Sequence, residues 1–84
     1  MSRILQVPLP EFGHGITEAL IIEWRVQPGD TVRRGDAIAE LETDKSSVEL
    51  VAEHPGIVRS ILADARSILE SGSPLYTIEV DQEG

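Results

Sequence analysis

The stretch Glu42-Thr43-Asp44-Lys45-Ser46-Ser47-Val48-Glu49 is a short polar break between two segments that alternate apolar and polar residues as β-strands do. This pattern predicts a tight hairpin turn with Lys45 at its tip. The chain has no cysteine, no paired histidines and no phosphate-binding loop, so this ammonium group is the one most suited to presentation to another protein. We therefore predict that Lys45 is a place where a cofactor is attached.

The composition describes one small domain with little chemistry of its own. The chain has 84 residues and a formal net charge of -8, which argues against nucleic-acid and anionic-membrane partners, because both recognise clustered Lys and Arg. The absence of cysteine excludes a thiolate metal site, and His14 and His54 lie in no metal-ligand spacing, so no metal site is predicted. No leader segment and no apolar run of roughly 18 residues is visible. We therefore expect a cytoplasmic, bacterial protein.

Strand-like alternation recurs along the chain. It covers residues 20–26, whose even-numbered apolar side chains are expected to share one face, and residues 37–42. Turn sequences such as Gln27-Pro28-Gly29-Asp30 interrupt the runs roughly every ten residues, and only residues 63–69 have a pattern compatible with a helical turn. Short strands separated by regular turns predict an all-β sandwich or barrel.

The chain also contains a weak internal repeat, which appears when it is compared with itself at an offset of 37 residues. The matching pairs are Leu20 with Ile57, Trp24 with Ile61, Val32 with Leu69, Gly35 with Gly72, Ile38 with Leu75, Leu41 with Ile78 and Glu42 with Glu79. Such a repeat predicts two half-domains related by an approximate two-fold, each contributing strands to both sheets.

The repeat makes two local predictions. Position 45 corresponds to Pro8 and Gln82, near the two ends of the chain, so the lysine tip is expected at the end of the domain opposite both termini. Gly29 aligns with Arg66, and because arginine disfavours positive φ, we expect a different backbone conformation in the second turn.

Several stretches, taken together, resemble a known family. They are Glu42-Thr43-Asp44-Lys45-Ser46, Gly15-Ile16-Thr17-Glu18, Glu23-Trp24, Pro28-Gly29-Asp30-Thr31-Val32 and Gly35-Asp36. In these, and in the spacing of Gly29 and Gly56 around the lysine, residues 4–80 resemble the lipoyl domain of the acyltransferase (E2) component of 2-oxo acid dehydrogenase complexes. Domain boundaries of 1–80 for the lipoyl domain and 81–84 for a polar tail or the start of a linker follow from the resemblance and from the polar ending.

The resemblance implies a fold and a function. The fold is a flattened β-barrel of two four-stranded antiparallel sheets with quasi two-fold symmetry, a barrel-sandwich hybrid. A lipoate ligase or octanoyltransferase would join lipoate to Lys45 as an amide. The swinging arm would then carry acyl groups and reducing equivalents between the thiamine-diphosphate enzyme (E1), the acyltransferase core and the flavin-dependent dihydrolipoyl dehydrogenase (E3). The domain itself would be a non-catalytic carrier, and a monomer when isolated.

The resemblance also assigns roles to other residues. Glu42, Asp44 and Ser46 would form the modification turn, where the carboxylate of Asp44 is suited to accept local backbone hydrogen bonds, and Gly29 and Gly56 would be structural glycines. A loop near the lysine would help the cognate E1 recognise its domain; it consists of Phe12, Gly13, His14, Gly15, Ile16 and Thr17. Many relatives have a glutamate where this chain has His14. That difference leaves the substrate open among pyruvate, 2-oxoglutarate, branched-chain acids and the acetoin system.

Three other functions share parts of this pattern. A biotinyl carrier domain has the same lysine turn, but methionines typically flank its lysine where this chain has Asp44 and Ser46. The lipoyl-bearing H protein of glycine cleavage is longer and has a different turn sequence. An unmodified β-module that only docks onto a larger assembly is the third alternative. An independent enzyme is disfavoured, because no constellation for acid-base or metal chemistry is visible.

Overall fold

The computed structural model of the chain describes residues 1–13 and 15–81. Within them all regular structure consists of eight β-strands: β1 (Ser2–Pro8), β2 (Glu18–Trp24), β3 (Thr31–Val32), β4 (Ala37–Glu42), β5 (Ser47–Val51), β6 (Gly56–Ile61), β7 (Ile68–Glu70) and β8 (Pro74–Asp81). Accordingly, this part of the chain contains no helix that could cross a membrane.

Two antiparallel sheets of four strands each form the domain. One sheet has the order β1-β8-β6-β3, and the other has the order β5-β4-β2-β7. The predicted all-β fold of two four-stranded antiparallel sheets is therefore confirmed. The predicted tail begins at Asp81, which is still the last residue of β8, while residues 82–84 lie outside the described residues.

The core lies between the two sheets and is entirely apolar apart from one tyrosine hydroxyl. Its buried members are Leu9, Ala19, Ile21, Val32, Ile38, Ala39, Leu41, Ala52, Val58, Ala63, Leu75, Tyr76 and Ile78. Trp24 packs against this cluster, donates its indole N–H to the carbonyl of Ala63 at 3.0 Å and meets the ring of Tyr76 edge to face. Burial raises the pKa of Tyr76 and the nearby charge of Glu53 adds to this effect, so the phenol stays neutral.

The expected apolar face of residues 20–26 is wrong for its first half. Ala19 and Ile21 are the buried residues, and Leu20 and Ile22 are partly exposed. The reason is a β-bulge: Ile21 pairs with Leu41 but Glu23 pairs with Glu40, so Ile22 is an extra residue in β2. An extra residue moves the following side chains to the other face, which explains why Trp24 does reach the core.

The predicted repeat is present in the positions of the bulges. The extra residue Ile22 of β2 matches the extra residue Arg59 of β6, and Ile38 of β4 matches Leu75 of β8. Each pair differs by the repeat offset. The two-fold therefore relates β2 to β6 and β4 to β8, one strand of each pair in each sheet.

Backbone hydrogen bonds outside the sheet ladders repeat in the same way. Five bonds have a partner bond at the same offset: Arg25 to Ile38 with Leu62 to Leu75, Gly29 to Val58 with Arg66 to Ile21, Val58 to Asp30 with Ile21 to Ser67, Asp30 to Gln27 with Ser67 to Asp64, and Asp36 to Arg33 with Ser73 to Glu70. These bonds extend the pairing of neighbouring strands or close the turns. The weak sequence repeat thus corresponds to a structural two-fold.

Two expectations about residues 63–69 are wrong. The segment is a turn and not a helix, and β7 begins at Ile68. Its amides are engaged elsewhere, since Arg66 N donates to Ile21 O at 2.6 Å. Arg66 also takes a φ of 72°, the same positive sign as Gly29 at 99°, so the two turns have similar backbones after all. The bond to β2 holds Arg66 in a conformation that arginine rarely adopts.

Candidate functional site

The β4–β5 connection forms a closed turn. Glu42 and Ser47 are the last paired residues of the two strands, and Thr43 N donates to Ser46 O at 2.9 Å. Asp44 and Lys45 occupy the tip. Neither has a positive φ, because Arg66 is the one non-glycine residue with positive φ in the described part of the chain. The turn is therefore not one of the primed types that usually close two-residue hairpins.

The hydroxyl of Thr43 holds this turn together. Thr43 Oγ1 donates to Ser46 O at 3.0 Å and accepts from the backbone N–H groups of Lys45 and Ser46, both at 3.3 Å. The carboxylate of Asp44 was expected to accept local backbone bonds, but no such bond is present among the residues described. Thr43 takes that role, because its shorter side chain keeps the hydroxyl beside the backbone of the two following residues.

Lys45 is the only lysine of the chain, and it is exposed. Within residues 1–13 and 15–81 it makes no ion pair; the ion pairs there involve Arg25, Arg59 and the amino terminus. Glu42, Asp44 and Ser46 around it are also exposed. An ordered backbone thus presents a free ammonium group to solvent.

The outer face of the β5-β4-β2-β7 sheet, from which the turn projects, is acidic. Glu40 lies opposite both Glu49 and Glu23, and Glu18 lies opposite Glu70. Arg25 offsets part of this charge by pairing with Glu23 at 3.2 Å and Glu40 at 3.3 Å. Lys45 is therefore a cation without an ion pair among the described residues, at the edge of a negatively charged surface.

A groove runs beside the lysine turn. Its volume is about 220 Å³, and it is lined by Glu18, Ala19, Leu20, Glu42, Thr43, Asp44 and Ile68. We call it the turn groove. Its two-fold counterpart is a larger cavity of about 580 Å³ where β1 begins and β8 ends, with none of the same lining residues. The lysine turn and the cavity where β1 begins and β8 ends thus lie at separate, symmetry-related places on the domain; that the lysine is opposite both chain termini stays a prediction.

The proposed recognition loop, residues 12–17, directly precedes β2. Gly13 and Gly15 take a φ of 77° each, and Ile16 N donates to Gly13 O at 3.0 Å. Thr17 O accepts from Ser71 N at 2.8 Å, which ties the loop to the β7–β8 turn.

The residues of this loop are not all exposed. Phe12 packs against the core, and His14 lies outside the described residues. Glu18, the residue that follows the loop, lines the turn groove. A second groove lies between the loop and Ser71, and no residue of the lysine turn lines it.

The two glycines that the lysine spacing singled out have different physical roles. Gly29 is in a turn with a φ of 99°, and a Cβ there would meet no atom. Gly56 is the first residue of β6, and a Cβ there would lie 2.2 Å from the carbonyl oxygen of Glu79. The first glycine is needed for backbone conformation, and the second for the close approach of β6 to β8.

The residues present suit a covalently attached acyl cofactor better than a bound ion. No group of three or more potential metal ligands occurs in the part of the chain that is described, and His54 is beside the chain termini. An exposed amine on an ordered turn, next to a groove with two aliphatic side chains, provides both an attachment point and an apolar surface.

A family model described as "Biotin-requiring enzyme", the biotin/lipoyl family, matches residues 5–78. The chain belongs to the biotin/lipoyl attachment domain family. This biotin/lipoyl domain is also similar to a solved structure, the lipoyl domain of the 2-oxoglutarate dehydrogenase complex from Azotobacter vinelandii, with a TM-score of 0.71 and 29% identity over 95% of this chain and 98% of that one. The predicted family and fold are therefore confirmed.

Relatives of the biotin/lipoyl domain are much longer proteins. It is 42% identical over 73 residues to the dihydrolipoyllysine-residue succinyltransferase component of the 2-oxoglutarate dehydrogenase complex of Staphylococcus saprophyticus, covering 87% of this chain and 17% of that protein. It is 35% identical over 80 residues to the lipoamide acyltransferase component of the mouse branched-chain alpha-keto acid dehydrogenase complex, covering 95% and 17%. The chain thus spans about a sixth of the length of these relatives.

Thr43 is the residue of the site that sequence reasoning missed. The motif around Lys45 contains it, but the turn role went to Asp44. A threonine followed by two polar residues at a predicted hairpin tip is a known signal for a hydroxyl-closed turn. Leu20 and Ile68 were also not grouped with the lysine, because strand order decides their meeting and local sequence does not.

Proposed function

We propose that Lys45 is lipoylated and that the domain is the swinging-arm carrier of a 2-oxo acid dehydrogenase complex. The observation that supports this most is the position of the chain's only lysine: it is exposed at the tip of an ordered hairpin in a biotin/lipoyl family domain. A ligase needs an accessible amine at a fixed place. Thr43 and the two strands supply that place.

The attachment reaction uses Nζ of Lys45 as the nucleophile. After losing a proton to the ligase or to water, Nζ attacks the carbonyl carbon of an activated acyl group, either an acyl adenylate or an acyl-carrier thioester. An amide bond forms, the second amine proton is lost, and adenylate or thiol leaves. The product carries no charge at Nζ, so this end of the domain loses its cation.

Lipoate supplies, when attached, a disulfide that can accept an acyl group together with two electrons. The role of the chain's own residues is to position that group and to leave it mobile. Covalent attachment replaces diffusion of free lipoamide by a high effective concentration at each active site that the domain visits. The absence of cysteine means that no internal thiol competes for the acyl thioester.

Biotin is the alternative cofactor that the family name itself raises. Lipoate is favoured here by the residues beside Lys45, which are Asp44 and Ser46, in place of the methionines typical of biotinyl domains. The relatives named above are lipoyl-bearing acyltransferase components, and the similar solved domain is a lipoyl domain. These three observations point the same way.

The partners that we propose follow from this function. They are a lipoate ligase or octanoyltransferase, a thiamine-diphosphate E1, the acyltransferase core of the parent protein and the flavin-dependent E3. We place the protein in the bacterial cytoplasm. Glu42, Asp44 and Ser46 are proposed as ligase contacts, and Phe12 to Thr17, including His14, as the E1 contact.

A reductive-acylation experiment tests the carrier function. The domain, lipoylated at Lys45, is mixed separately with purified E1 enzymes specific for pyruvate, 2-oxoglutarate, a branched-chain 2-oxo acid and acetoin, and the mass of the domain is followed. We expect an acyl-sized mass gain with at least one E1 and none with Lys45→Arg, the matched variant that keeps the charge. Absence of any gain with all four, or an equal gain on the variant, would overturn the proposal.

A further inference from the structure

We propose that the acylated arm of Lys45 folds back onto its own domain and docks in the turn groove, against Leu20 and Ile68. This inference deepens the proposed function and rests on it, since it requires an acyl chain on Lys45. The docked position would be the resting state of the arm between visits to active sites.

The position of the turn groove next to Lys45 supports docking of the arm. Glu42, Thr43 and Asp44, the three residues that precede Lys45, form one wall of the turn groove. Lys45 is therefore the residue next along the chain to this wall, within reach of the groove for an acyl chain attached at its side chain. The groove also belongs to the rigid part of the domain, because Leu20 and Ile68 lie in the β2 and β7 strands and face each other directly across the sheet.

The second argument is the apolar surface at the floor. Ile68 is 64% exposed, the largest exposed fraction among the large hydrophobic residues that are described, except Met1. Single exposed aliphatic residues are common and need no explanation. Ile68 differs because it is paired with Leu20 and surrounded by glutamates on an otherwise acidic sheet face. At the two-fold-related position the chain has Thr31, which is polar, so the fold does not require an isoleucine there.

The third argument is the change of charge on acylation. A free lysine carries a hydrated ammonium group, which the three acidic residues of the groove lining attract but which loses hydration if it is drawn onto the apolar floor. An acylated lysine carries a neutral amide and a hydrocarbon chain, which gains by leaving water for Leu20 and Ile68. Acylation thus removes the desolvation cost of bringing the end of this side chain to the groove floor and adds an apolar chain that can be buried there.

The size of the groove determines how firmly the arm is held. Its volume of about 220 Å³ is below the roughly 300 Å³ at which pockets for drug-sized ligands begin. It can cover one flexible acyl chain on one side only. Docking is therefore weak and reversible, and a partner enzyme can draw the arm away without unfolding the turn.

Nuclear magnetic resonance of acylated domains tests the proposal. Nε-octanoyl-lysine and, as the matched control, Nε-acetyl-lysine are placed at position 45 by genetic encoding, so that both lose the charge but only one has the chain. We expect nuclear Overhauser contacts from the octanoyl methylenes to the methyl groups of Leu20 and Ile68. Shift changes at these two residues should exceed those at Leu62, which is also exposed but lies outside the groove.

A second variant separates docking from general effects. Ile68→Thr reproduces the residue at the two-fold-related position and should abolish the contacts, while Ile57→Thr on the other sheet should leave them unchanged. Identical spectra of the octanoyl and acetyl forms away from residue 45, or contacts that persist in Ile68→Thr, would overturn the docking proposal. Because the acyl group is encoded, these results do not depend on a ligase, and failure of lipoylation itself is read separately from the mass of the ligase-treated domain.

Discussion

Replacing Thr43 by valine should loosen the lysine turn without disturbing the β-sheets. Valine keeps the β-branched shape and removes only the hydroxyl, which takes part in three hydrogen bonds, one of 3.0 Å and two of 3.3 Å. A typical hydrogen bond contributes about 0.5–1.5 kcal/mol net, and the two longer bonds lie beyond the usual N–H···O range. We therefore expect a loss of about 1–2 kcal/mol.

This loss should fall mainly on the turn. The backbone bond from Thr43 N to Ser46 O remains, so β4 and β5 stay paired while the tip populates open conformations. A change of about 1 kcal/mol corresponds to roughly a fivefold change in an equilibrium constant. If the ligase acts on the ordered turn, kcat/KM for lipoylation of Thr43→Val should fall by up to about fivefold. Any global part of the loss would lower Tm by roughly 4–8 °C per kcal/mol.

The assay is the rate at which a lipoate ligase adds lipoyl mass to the domain under limiting domain concentration, with Tm measured in parallel. Thr43→Ser is the matched control, because it retains the hydroxyl, and it should stay within about twofold of the wild-type rate. Wild-type lipoylation kinetics together with an unchanged Tm for Thr43→Val would refute the role given to this hydroxyl.

Three further predictions concern the stability of the domain outside the lysine turn. Gly56→Ala places a Cβ 2.2 Å from Glu79 O and should destabilise the domain by about 1–3 kcal/mol in urea denaturation; unchanged stability would contradict the close β6–β8 contact. Arg66→Gly relieves the positive φ of 72° and should raise the free energy of unfolding by up to about 1 kcal/mol; a clear loss would show that the arginine side chain contributes more than the strain costs. Hydrogen bonds from Ser2 and Arg59 hold the pKa of Glu79 below its usual 4.5. The stabilising contribution of this carboxylate is therefore complete above pH 4.5 and is lost as the pH falls through the lower folded-state pKa. Glu79→Gln should flatten the acid side of the curve of stability against pH, and an unchanged curve would argue against the stabilising role of Glu79.

The strands and the two-fold were predictable because they depend on local alternation and on matching residues. The β-bulges were not, because an extra residue is defined only by the strand that it faces. Ile22 alternates with its neighbours like any strand residue, yet its partner strand skips it. With this β-bulge, Leu20 and Ile22 lie away from the core, and Leu20 lines the groove beside the lysine turn.

Arg66 shows the limit of local backbone preference. Its side chain disfavours positive φ, and the sequence therefore predicted a turn unlike that of Gly29. The fold imposes the same backbone on both turns because each donates an amide to a carbonyl inside a strand. Gly29 donates to Val58 of β6, and Arg66 donates to Ile21 of β2. Tertiary hydrogen bonds outweighed a local cost of about 1–2 kcal/mol.

The site was partly visible in the sequence. Lys45 could be placed on a hairpin tip from the polar break alone, and the residues around it identified the family. The turn groove could not be foreseen, because Leu20 and Ile68 are far apart in the chain and meet only through the pairing of β2 with β7. The role of Thr43 lay between these cases, since its signal was local but Asp44 offered a competing one.

Lipoylation of Lys45 is tested most directly by the intact mass of the domain. The mass is measured after co-expression with a lipoate ligase in medium containing lipoate, and separately with a biotin ligase in medium containing biotin. We predict one lipoyl-sized gain with the first enzyme, located on Lys45 by peptide fragmentation and absent from Lys45→Arg, and no gain with the second. Because Lys45 is the only lysine, the amino terminus is the one other amine that fragmentation must exclude. No lipoyl gain on the wild type, the same gain on the variant, or a biotinyl gain in its place would show that Lys45 is not the lipoylated residue of a carrier domain.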